Sequence, residues 1–379
     1  MFHLRIPGPT PIPPRVQQAM NQPMIGHRSK ECSALIHDLS NRLRLIFGTK
    51  QNPLILASSG TAALEAAVIN ALSPTDEALV VVTGAFGDRF AKIIQKYGIT
   101  LHRLDVEWGK ACHPDQLQKA LAEHPNLKAV FFTYCETSTG VLNPIQQLAE
   151  TVHQHSDALV IVDGVSCLGA VPCEMDAWGI DIMVTGSQKA LMLPPGLAFV
   201  AVSDRAWQAI EQSSTPRFYL DLIAYRDKLA QDTTPFTPAV SLLFGLDESL
   251  RLIEEEGLEN TIHRHEQMRD MTRTAIRALG LKLMTTDEDA SPTVTSIHGG
   301  GDDWSSEKLR QELAKIEVVV AGGQQHLKGK IFRIGHMGYC NPLDVCTIIS
   351  ALEYALTKTG VPIELGKGIK AAQEVWNGV

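Results

Sequence analysis

The chain has 379 residues, 44% of them hydrophobic and 20% charged, which is enough for two domains around a sizeable core. Its formal net charge is −8 and no block of lysine or arginine stands out, which argues against nucleic acid or an anionic membrane as a partner. No apolar run reaches the roughly 20 residues of a membrane helix. The seven cysteines form no Cys-x-x-Cys pair, so we expect a cytoplasmic protein with free thiols and no metal site.

Strand and helix signals alternate through the first part of the chain. Short apolar runs without period-2 alternation are typical of strands that are buried on both faces. Such runs occur at residues 78–82, 129–133, 159–163, 180–185 and 198–202. Helical stretches lie between several of them, at residues 86–97, 115–123 and 145–155. This alternation predicts an α/β fold, with a mostly parallel sheet between helices.

The pattern changes after about residue 241. Long helices are predicted at residues 244–256 and 258–279, short strands at 281–284, 293–297 and 331–334, and a further helix at 342–358. We expect a second, smaller α+β unit in this part of the chain. The segment 213–238 is poorly periodic and contains aromatic residues, which indicates a long functional loop.

Two charged residues stand at the ends of predicted buried strands. Lys189 follows the strand at 180–185 and precedes a Pro-Pro-Gly turn, where burial favours the neutral amine that attacks an aldehyde. Asp163 ends the strand before it, and a buried carboxylate needs a cationic partner. Pyridoxal phosphate supplies an aldehyde for the lysine and a cation for the carboxylate. The pair therefore predicts a pyridoxal-phosphate enzyme.

Ser59-Gly60-Thr61 opens a predicted helix directly after a short apolar run. Backbone N–H groups and the positive end of the helix dipole make such a start an anion site, and the hydroxyls add donors. A plain helix N-cap is the alternative. Together with Asp163 and Lys189, this segment is the candidate site for the cofactor phosphate.

Other candidate positions have a structural alternative. Phe86 follows a strand and could stack on a pyridine ring or belong to the core. Thr137, in the motif Glu136-Thr137-Ser138-Thr139-Gly140, could reach a cofactor oxygen or form a polar turn. Arg333 is a lone arginine in an apolar strand, where it could bind a carboxylate bidentately or form a structural ion pair.

As a set, these residues resemble the class V aminotransferases of fold type I, and most of all the alanine–glyoxylate and serine–glyoxylate aminotransferases. Some cyanobacterial members of that group carry the label of a soluble hydrogenase small subunit. The likeness spans essentially the whole chain. The motifs that carry it are Ile6-Pro7-Gly8-Pro9-Thr10, Ser59-Gly60-Thr61, Glu136-Thr137-Ser138-Thr139-Gly140-Val141, Asp163, Gly186-Ser187-Gln188-Lys189-Ala190 and Arg333-Ile334-Gly335.

The resemblance implies a domain organisation. A large cofactor-binding domain with a mostly parallel seven-stranded sheet between helices would span residues 21–255. A smaller α+β C-terminal domain would span residues 256–379, and residues 1–20 would contribute to both the active site and the small domain. The resemblance also implies a homodimer with active sites at the subunit interface, near the loop 213–238 and the segment Gly26-His27-Arg28.

The resemblance assigns roles around the cofactor ring. Lys189 would bond the pyridoxal phosphate and move the proton of the substrate Cα. Asp163 would pair with the pyridinium nitrogen and Thr137 with the phenolate oxygen. Phe86 would stack on the ring, where many relatives have Trp. Arg333 would bind the substrate α-carboxylate, and the backbone near Gly8 would line the substrate pocket.

The phosphate contacts are also implied by the resemblance. Within one subunit they are Ser59, Gly60, Thr61 and Gln188. Thr237, together with Thr234, would reach the phosphate of the neighbouring subunit's cofactor, although some animal relatives have Tyr at the position of Thr234.

The activity implied is a ping-pong transfer of the amino group of alanine or serine to glyoxylate, giving glycine and pyruvate or hydroxypyruvate. Two alternatives stay open. A cysteine desulfurase or other class V lyase usually has His before the lysine, where this chain has Gln188, and needs an exposed cysteine, for which Cys340 is the nearest candidate. A hydrogenase subunit needs cysteine ligands in paired spacings, which this chain lacks. The choice between alanine and serine depends on pocket shape.

Overall fold

The computed structural model describes residues 3–300 and 304–378. Its strands are β1 (His3–Arg5), β2 (Leu54–Leu56), β3 (Glu77–Val82), β4 (Thr100–Asp105), β5 (Leu127–Thr133), β6 (Cys135–Glu136), β7 (Val141–Leu142), β8 (Leu159–Asp163), β9 (Ile182–Gly186), β10 (Ala198–Val202), β11 (Val294–His298), β12 (Val318–Gly322) and β13 (Ile331–Gly335). Its helices are α1 (Pro14–Met20), α2 (Lys30–Phe47), α3 (Gly60–Ala71), α4 (Ala85–Lys96), α5 (Pro114–Glu123), α6 (Ile145–His155), α7 (Asp204–Gln212), α8 (Leu222–Leu229), α9 (Val240–Glu256), α10 (Leu258–Ala278), α11 (Ser306–Lys315), α12 (Pro342–Lys358) and α13 (Lys367–Asn377).

A seven-stranded sheet forms the centre of the larger part of the molecule, in the order β2-β10-β9-β8-β5-β3-β4. Neighbouring strands are parallel except at β10, which runs antiparallel to both β2 and β9. Alternate residues of β5 enter opposite cores: Val130 and Phe132 pack on one face, and Ala129 and Phe131 on the other. Both faces are covered by helices, so the strands have no polar face. The predicted α/β fold with a mostly parallel sheet is confirmed.

A second sheet has the order β1-β12-β13-β11. The N-terminal strand β1 pairs in parallel with β12, with His3 opposite Val318, while β13 is antiparallel to both β12 and β11. Its apolar side packs with α11 and α12 around Phe332 and Leu352. The predicted smaller α+β unit is therefore present, and the beginning of the chain supplies one of its edge strands. The domain bounds 1–20, 21–255 and 256–379 stay a prediction.

Helix α12 shows how local sequence sets an element's start. Asn341 accepts hydrogen bonds from the backbone N–H groups of Leu343 and Asp344, and Asp344 accepts one from Asn341 N at 3.0 Å. Pro342 occupies the first helical position, where no N–H is needed. These residues fix the beginning of α12 where the sequence predicts it.

Several segments differ from the sequence expectations, and three of them are instructive. Residues 281–284 form no strand, because only Leu283 makes a bridge, to Ile297. Strand β4 was not predicted, since it lies at the sheet edge and is half-exposed with mixed polarity. The loop at 213–238 contains the short helix α8.

The carboxyl ends of the parallel strands meet at one edge of the large sheet. Here β8 ends in Asp163, β9 leads into Lys189, and the chain after β2 and β3 enters α3 and α4. Ligands of open α/β sheets bind outside this edge. Within the described residues, no helix is long and apolar enough to cross a membrane. All seven cysteines are free.

Candidate active site

A cavity of about 210 Å³ opens at this edge of the sheet. It is lined by Ser59, Gly60, Thr61, Leu64, Phe86, Arg89, Asp163, Val165, Gln188 and Lys189. The predicted lysine and aspartate, the aromatic residue and the four phosphate residues of one subunit therefore lie around one space. Its volume is below the roughly 300–1,000 Å³ of drug-sized ligand pockets, which suits a small single-ring ligand.

Lys189 lies in the turn that follows β9 and is 8% exposed. The turn is fixed by Ser187, whose hydroxyl donates to Pro194 O at 2.6 Å and accepts from Leu197 N at 3.2 Å. The Lys189 ammonium donates to the backbone carbonyl of Pro7. Burial lowers the pKa of Lys189 to about 8, which makes the neutral, nucleophilic amine far more available near neutral pH.

Gly8 lies directly against this lysine. Its φ is +102°, a conformation that favours glycine, and a Cβ at this position would lie 2.6 Å from Lys189 Cδ and 2.7 Å from Nζ. The N-terminal segment is also tied to the lysine by Thr10, whose hydroxyl donates to Lys189 O at 3.1 Å. A side chain at position 8 would therefore displace the amine. The predicted place of Gly8 beside the substrate pocket stays a prediction.

Asp163 ends β8 and is 3% exposed. Its carboxylate accepts one hydrogen bond, from Val165 N at 2.8 Å, and forms no ion pair within the described residues. Burial, reinforced by the charge of Glu136, raises the pKa of Asp163 to about 7. A buried carboxylate with so few partners is costly when ionised, so the site favours a cation beside it.

The start of α3 and the side chain of Gln188 lie together on one side of the cavity, where the sequence predicts the phosphate contacts. Helix α3 begins at Gly60, and the preceding Ser59 makes no capping hydrogen bond with its side chain. The buried Oε1 of Gln188 has no hydrogen-bond partner. Because buried amides are nearly always paired, this orphaned acceptor marks a position that a hydrogen-bond donor would complete, whereas the NH2 end of the same amide is the one that could donate to an anion.

Phe86 lies in the first turn of α4, and a buried carboxylate fixes that turn. Glu136 Oε2 accepts from Phe86 N at 2.9 Å and from Gly87 N at 3.0 Å. Its Oε1 accepts from the backbone N–H and the hydroxyl of Ser138, at 3.1 and 2.5 Å. Glu136 therefore joins the start of α4 to the loop that carries Thr137.

The same loop also holds Arg333. The Arg333 side chain donates through Nη1 to Thr137 O at 2.7 Å and through Nε to Gly322 O at 2.9 Å. It is 5% exposed and has no carboxylate partner within the described residues, and burial lowers its pKa to about 10. The Thr137 hydroxyl is paired with Ser166 Oγ at 2.6 Å. Thr137 and Arg333 lie outside the residues that line the 210 Å³ cavity.

Thr234 and Thr237 lie away from the Lys189 cavity. The Thr234 hydroxyl donates to Phe236 O at 2.6 Å, and its carbonyl accepts from Arg28 at 2.7 Å. Thr237 lines a separate, open cavity of about 440 Å³ together with Gly26 and His27. Thus the segments 26–28 and 233–237 are neighbours, and their contact with a second subunit stays a prediction.

Sequence reasoning missed Arg89, Glu136 and Ser166 as parts of the site. Arg89 and Glu136 both stand in motifs that follow strands of the large sheet, Gly84-Ala85-Phe86-Gly87-Asp88-Arg89 and Glu136-Thr137-Ser138. Glu136 is the first charged residue after a mostly apolar stretch at 129–135, and this is the signal that could have identified it. Arg89 stands one helical turn after Phe86, a spacing that places both on one face of α4.

These features define an α/β protein in which a buried lysine and a buried aspartate line one cavity at the carboxyl edge of the large sheet. A sequence model of the family "Aminotransferase class-V" matches residues 3–339. The chain belongs to the class V aminotransferases, as its motifs indicate. Membership of this family implies pyridoxal phosphate as the cofactor.

Individual relatives match over nearly the whole chain. The "Soluble hydrogenase, small subunit" of Synechococcus sp. is 43% identical over 376 residues, 98% of this chain and 97% of that protein. A serine–glyoxylate aminotransferase of Methylorubrum extorquens is 35% identical, over 98% of this chain and 94% of that protein. The crystal structure of an alanine–glyoxylate aminotransferase from Nostoc sp. has a TM-score of 0.89 and 31% identity, covering 94% of this chain and 95% of that one.

The residues present fit pyridoxal phosphate on observations of this structure alone. Lys189 offers a buried amine whose pKa is lowered to about 8. Asp163 offers a buried carboxylate without a counter-ion, and the start of α3, where Ser59 makes no side-chain cap, offers backbone N–H donors. An aldehyde, a ring cation and an anionic group are the complements of these three features.

Proposed function

We propose that the protein transfers the amino group of alanine or serine to glyoxylate, giving glycine and pyruvate or hydroxypyruvate in two half-reactions of a ping-pong cycle. The observation that carries the proposal is the buried Lys189, with its lowered pKa, in one cavity with Asp163. The serine–glyoxylate and alanine–glyoxylate aminotransferases among the relatives support these substrates.

Lys189 is the central residue of the proposed mechanism. When bound, pyridoxal phosphate supplies the aldehyde that takes up the amino group and the ring that delocalises electrons. Lys189 Nζ is the base that removes the proton from the substrate Cα and returns it in the second half-reaction. The carbonyl of Pro7 orients this amine, and Gly8 leaves the space in which it moves.

The other residues of the site would hold the cofactor and orient its ring. Asp163 would keep a proton on the ring nitrogen, and Phe86 would cover one face of the ring. Thr137 would donate its hydroxyl to the ring oxygen once that hydroxyl turns from Ser166. Ser59, Gly60, Thr61 and Gln188 would hold the phosphate.

Arg333 would bind the α-carboxylate of both substrates. Its guanidinium is oriented by two backbone carbonyls, which use Nε and Nη1 and leave further N–H groups for a ligand. A charged side chain held in this way matches a carboxylate without having to reorganise first.

We further propose a homodimer in which Thr237 and Thr234 reach the phosphate bound by the neighbouring subunit. Exposed apolar residues near these threonines support this assembly: Phe218 is 81% exposed and Met24 67% exposed. Phe218 belongs to an aromatic cluster with Phe236 and Tyr219, beside Thr237. Exposed apolar surface of this kind is typical of an interface. The cytoplasmic location stays a prediction.

The two alternatives make different demands. For a cysteine desulfurase, Cys340 would have to be an exposed thiolate, yet it is buried and burial raises its pKa to about 11. For a hydrogenase subunit, we expect metal in the purified protein. Within the described residues, no group of three His, Cys, Asp or Glu side chains is placed to hold an ion.

An absorbance titration tests the proposal. The purified protein, supplied with pyridoxal phosphate, receives L-serine, L-alanine or L-cysteine, and then glyoxylate. We expect the visible band to bleach with L-serine or L-alanine and to return with glyoxylate, with glycine as the product. Bleaching by L-cysteine alone with release of sulfide would instead indicate a lyase. In a separate metal analysis of the purified protein, stoichiometric iron or nickel would indicate the hydrogenase alternative.

A further inference from the structure

Arg89 is a cation that the proposed mechanism does not use. It lines the same cavity as Lys189 and Asp163 and forms no ion pair within the described residues. Its Nη1 donates to Thr61 Oγ1 at 3.0 Å, and its guanidinium carbon lies 4.6 Å from the centre of the Phe86 ring. Arg89 is thus placed between the start of α3 and the aromatic residue at the start of α4.

We propose that Arg89 binds the cofactor phosphate and closes the anion site opposite the start of α3. This inference rests on the proposed function, because it assigns a further contact to the same cofactor. The chemical class of the ligand group is a phosphate monoester dianion. Such a group is matched by the planar fork of an arginine better than by hydroxyls alone.

The hydrogen bond to Thr61 explains how the phosphate contact would work. Because the Thr61 oxygen accepts from Arg89, its own hydrogen remains available to donate to an anion. The guanidinium has five N–H donors, and this bond uses one of them. Arg89 therefore orients the threonine hydroxyl and still has donors of its own for the same ligand.

The contact with Phe86 adds a second consequence. The guanidinium stacks over the ring at a distance typical of a cation–π pair, which holds both side chains in place. The whole chain carries a net charge of −8, so no general positive field attracts a phosphate and a local cation is needed. The Arg89 side chain thus contacts both Phe86, which would cover the cofactor ring, and Thr61, at the proposed phosphate end of the cavity.

A distal carboxylate of a dicarboxylic substrate is the rival ligand for Arg89. Two features favour the phosphate. First, Arg89 donates a hydrogen bond to Thr61 at the start of α3, where the sequence predicts the phosphate contacts. The arginine proposed for a substrate carboxylate is Arg333, which is held by Gly322 and Thr137 and lies outside the lining of this cavity. Second, the donors around Arg89 are the hydroxyls and N–H groups of a helix start, and such donors commonly bind phosphate in proteins.

The test compares two ligands that differ only in the phosphate. Apoprotein of the wild type and of Arg89→Gln is titrated with pyridoxal phosphate and with pyridoxal, and dissociation constants are measured by equilibrium dialysis. We expect Arg89→Gln to weaken binding of pyridoxal phosphate about 10–100-fold, the loss expected for a hydrogen bond to a charged group. Binding of pyridoxal should change less than about threefold, and Arg89→Lys should recover part of the loss.

Arg226→Gln is the matched control. Arg226 also lies over an aromatic ring, 4.8 Å from the centre of Trp207, but it is outside the cavity, so both dissociation constants should stay as in the wild type. Equal weakening of both ligands by Arg89→Gln would overturn the phosphate contact, as would a raised KM for L-aspartate with unchanged cofactor affinity. If the wild type binds no pyridoxal phosphate, the proposed function itself fails.

Discussion

Two buried arginines, one in α10 and one in β13 near the predicted active site, show how differently two regions of the C-terminal part treat charge. Arg273, in α10, donates to the Asp287 carboxylate, to the hydroxyl and carbonyl of Thr285 and to the carbonyl of Thr286, all within 2.9 Å. Arg333, at the edge of the active site, has two backbone carbonyls as hydrogen-bond partners and no carboxylate within the described residues. Arg273 therefore has a carboxylate and three further acceptors within the chain, whereas Arg333 has N–H donors without an acceptor among the described residues.

Two buried carboxylates differ in the same way. Glu136 accepts four hydrogen bonds, from Phe86, Gly87 and twice from Ser138. Asp163 accepts one, from Val165. Buried charged groups are stable only when paired, so those that the chain leaves incomplete mark where a ligand supplies the missing partner. We therefore propose that the number of hydrogen-bond partners within the chain distinguishes structural charged groups from functional ones.

The largest effect should follow from Asp163→Asn. The amide keeps an acceptor for Val165 N but cannot hold a proton on the ring nitrogen by charge, so kcat should fall about 10²–10³-fold. Steady-state kinetics with L-serine or L-alanine and glyoxylate measure this loss. A variant with wild-type kcat would contradict the role assigned to Asp163.

The same variant should be more stable as apoprotein. The pKa of Asp163 is raised from 3.8 to about 7, so the folded state favours the protonated acid and loses stability as pH rises between these values. Each pKa unit corresponds to about 1.36 kcal/mol, which gives at most about 4 kcal/mol at pH 8. Asp163→Asn should remove this loss. In urea unfolding, the variant should therefore have a higher free energy of unfolding than the wild type at pH 8 and the same value at pH 4.

The paired variants Arg333→Gln and Arg273→Gln separate the two kinds of arginine. Loss of Arg333 should raise the KM of both substrates about 100-fold and change the free energy of unfolding by less than about 1 kcal/mol, because removing a buried charge without a carboxylate partner offsets the two lost hydrogen bonds. Loss of Arg273 should lower the free energy of unfolding by about 2 kcal/mol and leave KM unchanged, since its partners are left unsatisfied. Equal effects of the two variants on KM would contradict the assignment of Arg333 to substrate binding and of Arg273 to stability.

Glu136→Gln should lower the stability of the fold, measured as the free energy of urea unfolding. An amide can accept with only one of its two ends, so two of the four donors now bound by the carboxylate lose their partner. We expect a loss of about 2 kcal/mol in the free energy of unfolding. Glu150→Gln, on an exposed face of α6, is the control and should stay within about 0.5 kcal/mol. Wild-type stability of Glu136→Gln would contradict the structural role.

The smallest effect should come from Phe86→Leu, which removes an aromatic face but keeps an apolar side chain. Loss of stacking is worth about 1 kcal/mol, so binding of pyridoxal phosphate should weaken about fivefold. Pyridoxal should weaken by the same factor, in contrast to Arg89→Gln. Unchanged dissociation constants would show that Phe86 does not cover the ring.

Much of the fold and part of the site could be predicted from local sequence. The strands that end at Asp163 and lead to Lys189 are largely apolar, and strand ends of a parallel sheet meet at one edge. The antiparallel direction of β10 could not be predicted, because its apolar run fits either direction. The pairing of β1 with β12 joins opposite ends of the chain and leaves no local signal.

The part of the site that escaped prediction depends on tertiary proximity. Glu136 acts through the N–H groups of Phe86 and Gly87, about fifty positions away in the sequence. Arg89 acts through Thr61, on a different helix. Such contacts follow only from the arrangement of α3, α4 and the loop after β5 in space. Single-residue patterns predicted the reacting groups, and the structure adds the residues that contact their neighbours.

The most direct measurement of the central claim is the site of covalent cofactor attachment. The protein is loaded with pyridoxal phosphate, reduced with borohydride, digested and analysed by mass spectrometry, with Lys189→Ala as the control. The account predicts one phosphopyridoxyl group per chain on the peptide that contains Lys189, and none in the variant. Stoichiometric modification of another lysine, or equal modification of the Lys189→Ala variant, would contradict it.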